Sequence, residues 1–265
     1  MTAQPTLRVT LVQAQLAWHD AQANRRAFEN LLAPLAGQTD LVVLPEMFTT
    51  GFTMAAHEVA EPAEGPSVDW MRATAAKLNA VVTGSIVTRD SGKYFNRLIW
   101  MRPDGSHAAY DKRHLFRMAH EDQHYSAGGA RLIVELKGWQ VCPLVCYDLR
   151  FPVWSRNRIG GDSGYDVLLY VANWPERRRH AWQTLLQARA IENQCYCIGV
   201  NRVGKDGNDI PYSGDSAAID FLGQPLTAAP EDEFVVTVAL DRAALDTHRA
   251  KFPAHLDADD FALRV

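Results

Sequence analysis

The chain has 265 residues, of which 47% are hydrophobic, so it is long enough for one large α/β domain with a substantial core. Its formal net charge is −4 and no basic stripe runs along it, which argues against a nucleic-acid-binding protein. No apolar run approaches the roughly 20 residues that a membrane span needs, and no apolar leader precedes the first strand, so we expect a soluble, cytoplasmic protein.

Predicted strands and helices alternate along most of the chain, starting with an apolar strand at residues 7–16. Asp20 is a good N-cap for a helix that runs to about residue 36, and Pro66 suits the first turn of a second helix. Further helices are predicted at residues 178–193 and 240–250, with a short one after Cys146. The other predicted strands, each rich in apolar or β-branched residues, are 41–44, 80–88, 94–101, 107–112, 131–136, 139–145, 166–172, 195–202, 216–221 and 234–240.

Turn-forming residues indicate which of these strands are antiparallel neighbours. Residues 103–105 and 137–138 are hairpin signals, and the turn at residues 222–223 predicts that strands 216–221 and 234–240 also pair. Hairpins mixed with strand–helix–strand units exceed what one doubly wound sheet holds. Two mixed sheets packed face to face, with helices outside, accommodate the strands best, so we predict an α/β fold of this kind.

The sequence contains no repeat, no low-complexity tract and no Gly/Ser/Pro-rich linker, which favours one domain over residues 1–265. A polar C-terminal tail is predicted from about residue 251, with Phe252, Phe261 and Leu263 as possible anchors. The only basic run, residues 177–179, is short and is interpreted as the solvated start of a helix. Four cysteines do not make a disulfide framework in a chain of this length.

Cys146 is the best candidate for a catalytic nucleophile. It ends the apolar run 141–145, and open α/β sheets place their chemistry at the carboxyl ends of strands. A thiolate nucleophile needs a base or a positive environment. Glu46 ends the apolar strand 41–44 in the same way, and Lys112 follows another strand. The three residues together supply a nucleophile, a base and a group that stabilises an oxyanion.

Each of these residues taken alone has a simpler interpretation. A cysteine after an apolar strand is usually a small buried hydrophobic residue, and Glu46 and Lys112 are ordinary loop and strand-end side chains. Their common position after a strand favours catalysis, and their joint presence argues against an inactive binding protein. Cys195 and Cys197 lie two residues apart on a predicted strand, so they share a face and are expected to pack in the core.

A competing hypothesis comes from His120-Glu121-Asp122-Gln123-His124, which fits the H-E-x-x-H motif of zinc hydrolases. In such an enzyme Glu121 would be the general base. The motif has to lie on a helix for both histidines to share one face. Here a Gly-rich segment follows within five residues, the flanks lack a helical apolar stripe, and no third ligand follows at a fixed offset. We therefore expect no metal, and the two histidines are interpreted as part of a loop near the mouth of the site.

Several segments resemble the nitrilase superfamily of carbon–nitrogen hydrolases, and the resemblance covers most of the chain, from about Leu7 to Phe252. The segments that carry it are Leu44-Pro45-Glu46, Tyr110-Asp111-Lys112-x-His114-Leu115, Val145-Cys146-Tyr147-Asp148-Leu149-Arg150-Phe151-Pro152, Ala188-Arg189-Ala190-Ile191-Glu192-Asn193 and Gly214-Asp215-Ser216. The resemblance implies a four-layer α-β-β-α sandwich that dimerises into a longer stack, so we expect a homodimer or a higher homo-oligomer.

The resemblance also implies roles for four residues and a reaction without cofactor. Glu46 is expected to be the general base, Lys112 the oxyanion stabiliser and proton relay, and Cys146 the nucleophile that forms a thioester. Glu121 is the best match to a second glutamate of the family and is expected to hold Lys112 or the substrate amide. Its simpler interpretation is a surface loop carboxylate.

Two softer motifs, residues 46–52 and 172–175, look most like the bacterial ω-amidase branch, whose members remove the terminal amide of short dicarboxylate monoamides such as 2-oxoglutaramate. Another amide, a nitrile or a carbamoyl compound stays open as the substrate. We expect the backbone N–H of Tyr147 to point at the oxyanion and Arg150 to bind the distal carboxylate, unless Arg150 pairs with Asp148 or Glu192. The aromatic residues predicted to line the acyl pocket are Phe48, Phe151 and Trp174.

Overall fold

The fold is seen in a computed structural model that describes residues 6–161, 164–227 and 231–263. The helices are α1 (Ala21–Leu32), α2 (Ala56–Val59), α3 (Pro66–Leu78), α4 (Glu121–His124), α5 (Pro152–Ser155), α6 (Arg179–Asn193) and α7 (Arg242–Lys251). The strands are β1 (Leu7–Gln13), β2 (Leu41–Val43), β3 (Glu61–Pro62), β4 (Val81–Asp90), β5 (Lys93–Met101), β6 (His107–Asp111), β7 (Val134–Leu136), β8 (Trp139–Val145), β9 (Val167–Ala172), β10 (Tyr196–Asn201), β11 (Val203–Lys205), β12 (Pro211–Ser213), β13 (Ala217–Ile219) and β14 (Phe234–Leu240). Short 3-10 helices cover Ala33–Leu35, Arg117–Ala119, Cys146–Arg150, Glu176–Arg178 and Ala254–Asp257.

Two mixed sheets form the centre of the molecule. In the first, the strand order is β14-β1-β2-β4-β5-β6, with β3 beside β4. The pairs β1–β2, β2–β4 and β3–β4 are parallel, and the pairs β14–β1, β4–β5 and β5–β6 are antiparallel. In the second sheet the order is β13-β10-β9-β8-β7, again with parallel pairs in the middle and antiparallel pairs at both edges. The predicted pair of mixed sheets is confirmed.

The sheets pack face to face with helices on their outer faces, because their strands are apolar on both sides. Leu7, Val9 and Leu11 of β1 join the second sheet in one core. Val12 belongs instead to a core with side chains of α1 and α3, including Phe28. On the outer face of the second sheet, α6 packs closely on β10. There Gly199 makes room, since a Cβ at this position would lie 2.6 Å from the Leu186 side chain. The α-β-β-α layering is therefore confirmed.

The sequence signals at the helix starts correspond to the observed helices. The Asp20 side chain accepts a hydrogen bond from the Ala23 N–H and caps α1, which ends earlier than predicted and gives way to a 3-10 turn. Pro66 begins α3, whose buried face includes Met71 and Leu78. The predicted hairpins at residues 103–105 and 137–138 are confirmed, since they join β5 to β6 and β7 to β8.

The predicted pairing of strands 216–221 and 234–240 is wrong. Ala217–Ile219 pairs with β10 in the second sheet, whereas Phe234–Leu240 pairs with the whole of β1 in the first sheet. The turn at residues 222–223 does form, but its returning arm makes a single bridge at Pro225. Two backbone hydrogen bonds flank this bridge, from the Asp220 N–H to the Gln224 carbonyl and from the Leu226 N–H to the Ala218 carbonyl. The returning arm is therefore residues 224–226, and strand 234–240 lies in the other sheet.

The C-terminal residues continue the chain past α7 in a 3-10 turn. Phe261 contacts the Arg158 guanidinium, as expected of an anchor, whereas Phe252 is 61% exposed and Leu263 is 40% exposed. The first five residues of the predicted domain and the last two residues of the predicted tail lie outside the described residues. Within the described residues, every helix is too short or too polar to pass through a bilayer.

Candidate active site

Glu46 follows β2 at the edge where the two sheets meet. The chain turns immediately after it, with Met47 at φ = 42° and its N–H bonded to a serine hydroxyl of β4. One carboxylate oxygen accepts hydrogen bonds from Asn96 Nδ2 at 2.8 Å and Lys112 Nζ at 2.9 Å. The other accepts the backbone N–H of Asn173 at 2.8 Å. Glu46 is fully buried, so these donors fix both the position and the direction of its carboxylate.

Lys112 lies between two buried carboxylates. Its Nζ is 2.9 Å from Glu46 Oε1 and 2.9 Å from Glu121 Oε2. Burial by itself lowers the pKa of Lys112, but the negative charges of Glu121 and Glu46 outweigh burial and leave the pKa above its usual value. The ammonium is therefore charged at neutral pH. The Phe52 ring lies 5.2 Å from Nζ and closes the site on the cavity side.

Glu121 is completely buried, so its interpretation as a surface loop carboxylate is wrong. Besides Lys112, its carboxylate accepts the Phe116 N–H at 2.6 Å. Burial raises the pKa of Glu121, and the nearby Glu46 charge raises it further, while Lys112 lowers it. Glu121 begins the four-residue helix α4 and is not among the residues that line the cavity, so in this geometry it holds Lys112.

Cys146 begins the 3-10 helix that follows β8, and it has a left-handed backbone with φ = 44°. This conformation is costly for a residue with a side chain, and it turns the sulfur into the cavity. Sγ lies 3.9 Å from the carbonyl oxygen of Asn173, whose own N–H donates to Glu46. Burial raises the pKa of the Cys146 thiol, and the Glu46 carboxylate raises it further. The resting sulfur is therefore a thiol, and attack on a substrate requires a base beside it.

Asp148 joins the strand of Lys112 to the turn of Cys146. Its Oδ2 accepts the Val145 N–H at 3.0 Å and the Tyr110 hydroxyl at 2.7 Å. Its Oδ1 accepts the N–H of His114 at 3.0 Å and lies 2.8 Å from His114 Nδ1. A single buried carboxylate thus connects the end of β6, just before Lys112, with the end of β8, just before Cys146.

A cavity of about 650 Å³ opens in front of Cys146. Tyr147, Arg150 and Trp174 are among the residues that line it. The structure does not place Phe48 there: its ring is fully buried against Phe28 and Trp70, because the turn after Glu46 carries the chain back into the outer core. The wall at this side is built by Phe52 and its neighbours instead. Phe151 also lies elsewhere, stacked on the His114 ring at 3.7 Å.

Arg150 does not form the expected alternative pair with Asp148 or Glu192, and the basic run 177–179 differs from its interpretation as a solvated helix start. Arg150 takes part in none of the ion pairs formed among the described residues; Arg189 is the partner of Glu192, and Asp148 is bound as above. The Arg150 guanidinium lies 4.7 Å from the centre of the Trp174 ring. The run 177–179 is not merely a solvated helix start, since Arg177 and Arg178 line the cavity. Arg179, the third residue of this run, forms ion pairs with Asp215 and Glu231 and has a structural role.

The H-E-x-x-H segment does not have the geometry of a zinc site. His120 has a left-handed backbone, with φ = 58°, and precedes a helix of only four residues. Both His120 and His124 are exposed, while Glu121 points inward to Lys112. Within residues 6–161, 164–227 and 231–263, no three His, Cys, Asp or Glu side chains come together as metal ligands. The apolar flanks required for a longer helix are missing from the sequence, which is why the motif does not form one.

Two asparagines of the site escaped the sequence analysis. Asn96 lies inside β5 and Asn173 follows β9, and both bond directly to Glu46. The side chain of Asn173 also donates to the Glu46 carbonyl oxygen. The sequence did contain a signal for both residues. Each asparagine lies within or directly after an apolar strand, and a polar side chain that is buried at such a position needs a specific hydrogen-bond partner.

The four thiols should differ sharply in reactivity. Cys146 lines the cavity, whereas Cys142, Cys195 and Cys197 are wholly enclosed by core side chains. Cys146 also lies beside the carboxylate of Glu46, which can act as its base, and the other three thiols lack such a neighbour among the residues that bond to Glu46. We therefore expect iodoacetamide to modify Cys146 first and to abolish activity, with an amide substrate slowing the modification. Peptide mapping after timed exposure measures this order. Modification of another cysteine first, with activity retained, would show that Cys146 is not the nucleophile.

Comparison with known proteins agrees with this geometry. The chain is 49% identical to "Omega-amidase YafV" of Escherichia coli (strain K12), covering 98% of this chain and 99% of that protein. It is 32% identical to "2-oxoglutaramate amidase" of Bacillus subtilis (strain 168), over 88% of this chain and 90% of that one. The crystal structure of XC1258 from Xanthomonas campestris, a CN-hydrolase superfamily protein with an arsenic adduct in the active site, superposes with a TM-score of 0.96 at 54% identity, covering 98% of this chain and 100% of that one. Residues 8–250 match the carbon-nitrogen hydrolase family, and the chain therefore belongs to that family.

Proposed function

We propose that this protein is a cysteine-dependent ω-amidase, which hydrolyses the terminal amide of short dicarboxylate monoamides such as 2-oxoglutaramate and releases ammonia. The observation that carries the proposal is one cavity that both Cys146 and Arg150 line. Lys112, which bonds to Glu46, borders the same cavity, and Arg150 has no carboxylate partner among the described residues. The names of the Escherichia coli and Bacillus subtilis relatives support the same substrate class.

In the proposed reaction Glu46 acts first as a base. It takes the proton of the Cys146 thiol while the sulfur attacks the amide carbon, so that a carbon–sulfur bond forms and negative charge moves to the carbonyl oxygen. Lys112 and the backbone N–H of Tyr147 stabilise this oxyanion, and one such donor is typically worth about 3 kcal/mol. Because Lys112 is already charged and held by two carboxylates, it needs no reorganisation in the transition state.

Glu46 then acts as an acid and again as a base. It returns its proton to the amide nitrogen, the carbon–nitrogen bond breaks, and ammonia leaves with the acyl group held on Cys146 as a thioester. Water, deprotonated by Glu46, attacks the thioester and releases the acid and the thiol. Asn96 and the Asn173 N–H keep the carboxylate in one place through these steps, which suits a group that must face sulfur, nitrogen and water in turn.

The experiment that tests the proposed function is an ammonia-release assay with the purified protein. The panel contains 2-oxoglutaramate, succinamate, neutral short amides, a short nitrile and a carbamoyl compound. We expect the largest kcat/KM for the two carboxylate-bearing amides. A larger kcat/KM for a nitrile, a carbamoyl compound or a neutral amide would contradict the ω-amidase proposal. The protein would then be a carbon–nitrogen hydrolase with a different substrate.

Arg150 is expected to select the carboxylate of these substrates. Arginine binds a carboxylate through a planar fork of donors that lysine lacks. Arg150→Lys should therefore raise KM and lower kcat/KM for succinamate by about 1–3 kcal/mol, with a much smaller effect on a neutral amide. Steady-state kinetics on both substrates measures the difference. Equal losses on the two would mean that Arg150 supports the fold near Trp174 and does not select the substrate.

We further propose that the protein works as a homodimer in the cytoplasm. Large apolar side chains remain exposed on this protomer, among them Val153 of α5, Ile191 of α6 and Leu256 after α7, and a second copy would cover such surface. All four cysteines are free, which is the usual state of cysteines in the reducing cytoplasm. Light scattering on the eluted protein and cell fractionation test these two proposals.

A further inference from the structure

Three arginines line the cavity in front of Cys146. Arg150 and Arg178 are partly buried, and Arg177 is exposed. The chain as a whole has more acidic than basic residues, 31 against 27, yet none of the ion pairs formed among the described residues involves these three side chains. Lys112 also borders the cavity, but two carboxylates neutralise it. The cavity wall therefore carries an excess of positive charge.

The two partly buried guanidiniums are held by aromatic rings. Arg150 lies 4.7 Å from the centre of the Trp174 ring, and Arg178 lies 5.0 Å from the centre of the Phe116 ring. The Trp174 indole N–H donates to the Arg178 carbonyl oxygen at 2.8 Å, which ties the two wall segments together. A cation–π contact uses the charge of the guanidinium and leaves its N–H donors free for a planar oxygen ligand.

The positive charges of Arg150, Arg177 and Arg178 repel one another. Burial lowers the pKa of Arg178, and the charges of Arg177 and Arg150 lower it further, while a thiolate at Cys146 raises it. Arg178 remains charged at neutral pH because the usual value for arginine is so high. The charge of Arg178 therefore interacts electrostatically with Arg150 and with the sulfur of Cys146. An anion bound between Arg150 and Arg178 would offset the repulsion between the two guanidiniums.

The acidic residues of the wall do not supply that anion. Asp206 Oδ1 accepts the N–H groups of Asn208 and Ile210, and Oδ2 accepts the Tyr212 hydroxyl at 2.9 Å. Glu58 is exposed at the rim, 3.5 Å from the neighbouring His57 ring. Neither carboxylate pairs with Arg150 or Arg178, so within the described residues both guanidiniums are available to an anionic ligand.

We propose that Arg178 is the second arm of a carboxylate clamp, which it forms with Arg150 across the acyl cavity and which sets the substrate specificity of the enzyme. This inference rests on the proposed ω-amidase function and adds a residue and a selection rule to it. Two positively charged arginines favour substrates whose distal carboxylate has no charged neighbour, as in succinamate, or only a neutral oxo group beside it, as in 2-oxoglutaramate. They disfavour a 2-amino acid such as glutamine, because its ammonium group would face two guanidiniums.

Kinetics of Arg178→Gln, with Arg177→Gln as the matched control, tests the clamp. Both variants lose one positive charge from the cavity, but Arg177 is exposed and makes no aromatic contact in the described structure. For succinamate, Arg178→Gln should raise KM and lower kcat/KM by about 10- to 100-fold, as expected for a lost charge-assisted hydrogen bond. For neutral butanamide the loss should stay below about threefold, as it should for Arg177→Gln on both substrates. The preference for succinamate over glutamine should fall in Arg178→Gln alone.

Binding without turnover provides a second readout. In a Cys146→Ala background, calorimetry should give a dissociation constant for succinamate about 10- to 100-fold weaker when Arg178→Gln is added. Equal losses on succinamate and butanamide, or an unchanged dissociation constant, would overturn the clamp. A wild-type enzyme that prefers neutral amides would instead overturn the proposed function. A wild-type preference for succinamate that survives in Arg178→Gln would overturn the inference about Arg178 and leave the function in place.

Discussion

Glu46→Gln is expected to lower kcat by about 10³-fold or more while the fold stays intact, because the glutamine amide cannot accept the proton of Cys146. The thiol pKa is raised by burial and by Glu46 itself, so no preformed thiolate can replace the missing base. Formation of the thioester should therefore nearly stop. Ammonia release measures the overall rate, and rapid-quench mass spectrometry of the protein measures the acyl-enzyme.

Glu58→Gln is the matched control for this variant. It makes the same chemical change at the rim of the same cavity, on a carboxylate that is 60% exposed and outside the proposed machinery. Its kcat should remain within about twofold of wild type, since exposed charges are strongly screened. A chelator should leave the wild-type enzyme active. Loss of activity on chelation, with recovery on adding zinc, would favour the His120 and His124 hypothesis and contradict a metal-free mechanism that uses Glu46.

Lys112→Met is expected to lower the free energy of unfolding by about 3–5 kcal/mol, in addition to its effect on the reaction. The ammonium is the charge partner of both Glu46 and Glu121, and all three side chains are almost inaccessible. Removing it leaves two buried carboxylates close together without their shared positive partner. Urea denaturation followed by tryptophan fluorescence measures the loss. Lys137→Met removes a lysine that is 43% exposed from its pair with Asp40, which keeps its second partner Arg8, so the loss should be less than about 1 kcal/mol.

The pH dependence of this loss has a definite sign. Burial raises the pKa of Glu121 in the folded state, and removal of Lys112 takes away the charge that opposes this rise. A folded pKa above the unfolded value of about 4.3 stabilises the protein at low pH, and this stabilisation disappears as the pH rises through the folded pKa. The Lys112→Met protein should therefore lose less stability relative to wild type near about pH 5 than near about pH 8.

A second substitution separates charge from packing. In Lys112→Met with Glu121→Gln, the neutral amide removes one of the two unpaired carboxylates, so part of the lost stability should return. A double variant that is no more stable than Lys112→Met at any pH would show that lost packing, and not an uncompensated charge, causes the destabilisation. The comparison of the two single variants with the double variant measures this coupling directly.

The amino-acid sequence by itself predicted the layers of the fold and the meeting of Glu46, Lys112 and Cys146. Both follow from local patterns. Apolar runs of four to eight residues predict buried strands. A reactive side chain that follows such a run directly therefore lies at the end of a strand. The resemblance of the three segments to carbon–nitrogen hydrolases added the proposed roles, and the family assignment is confirmed.

The tertiary structure decided the features that depend on contacts between distant parts of the chain. Asn96 and Asn173 bond to a carboxylate that is 50 and 127 residues away, and Glu121 is buried because Lys112 lies beneath its short helix. Whether β14 pairs with β13 or β1 depends on which sheet edge is open, and a turn signal does not contain that information. The aromatic contact of Arg178 likewise arises from packing between segments. Periodicity describes one element at a time, whereas these hydrogen bonds and charges are defined by how two sheets and their loops pack together.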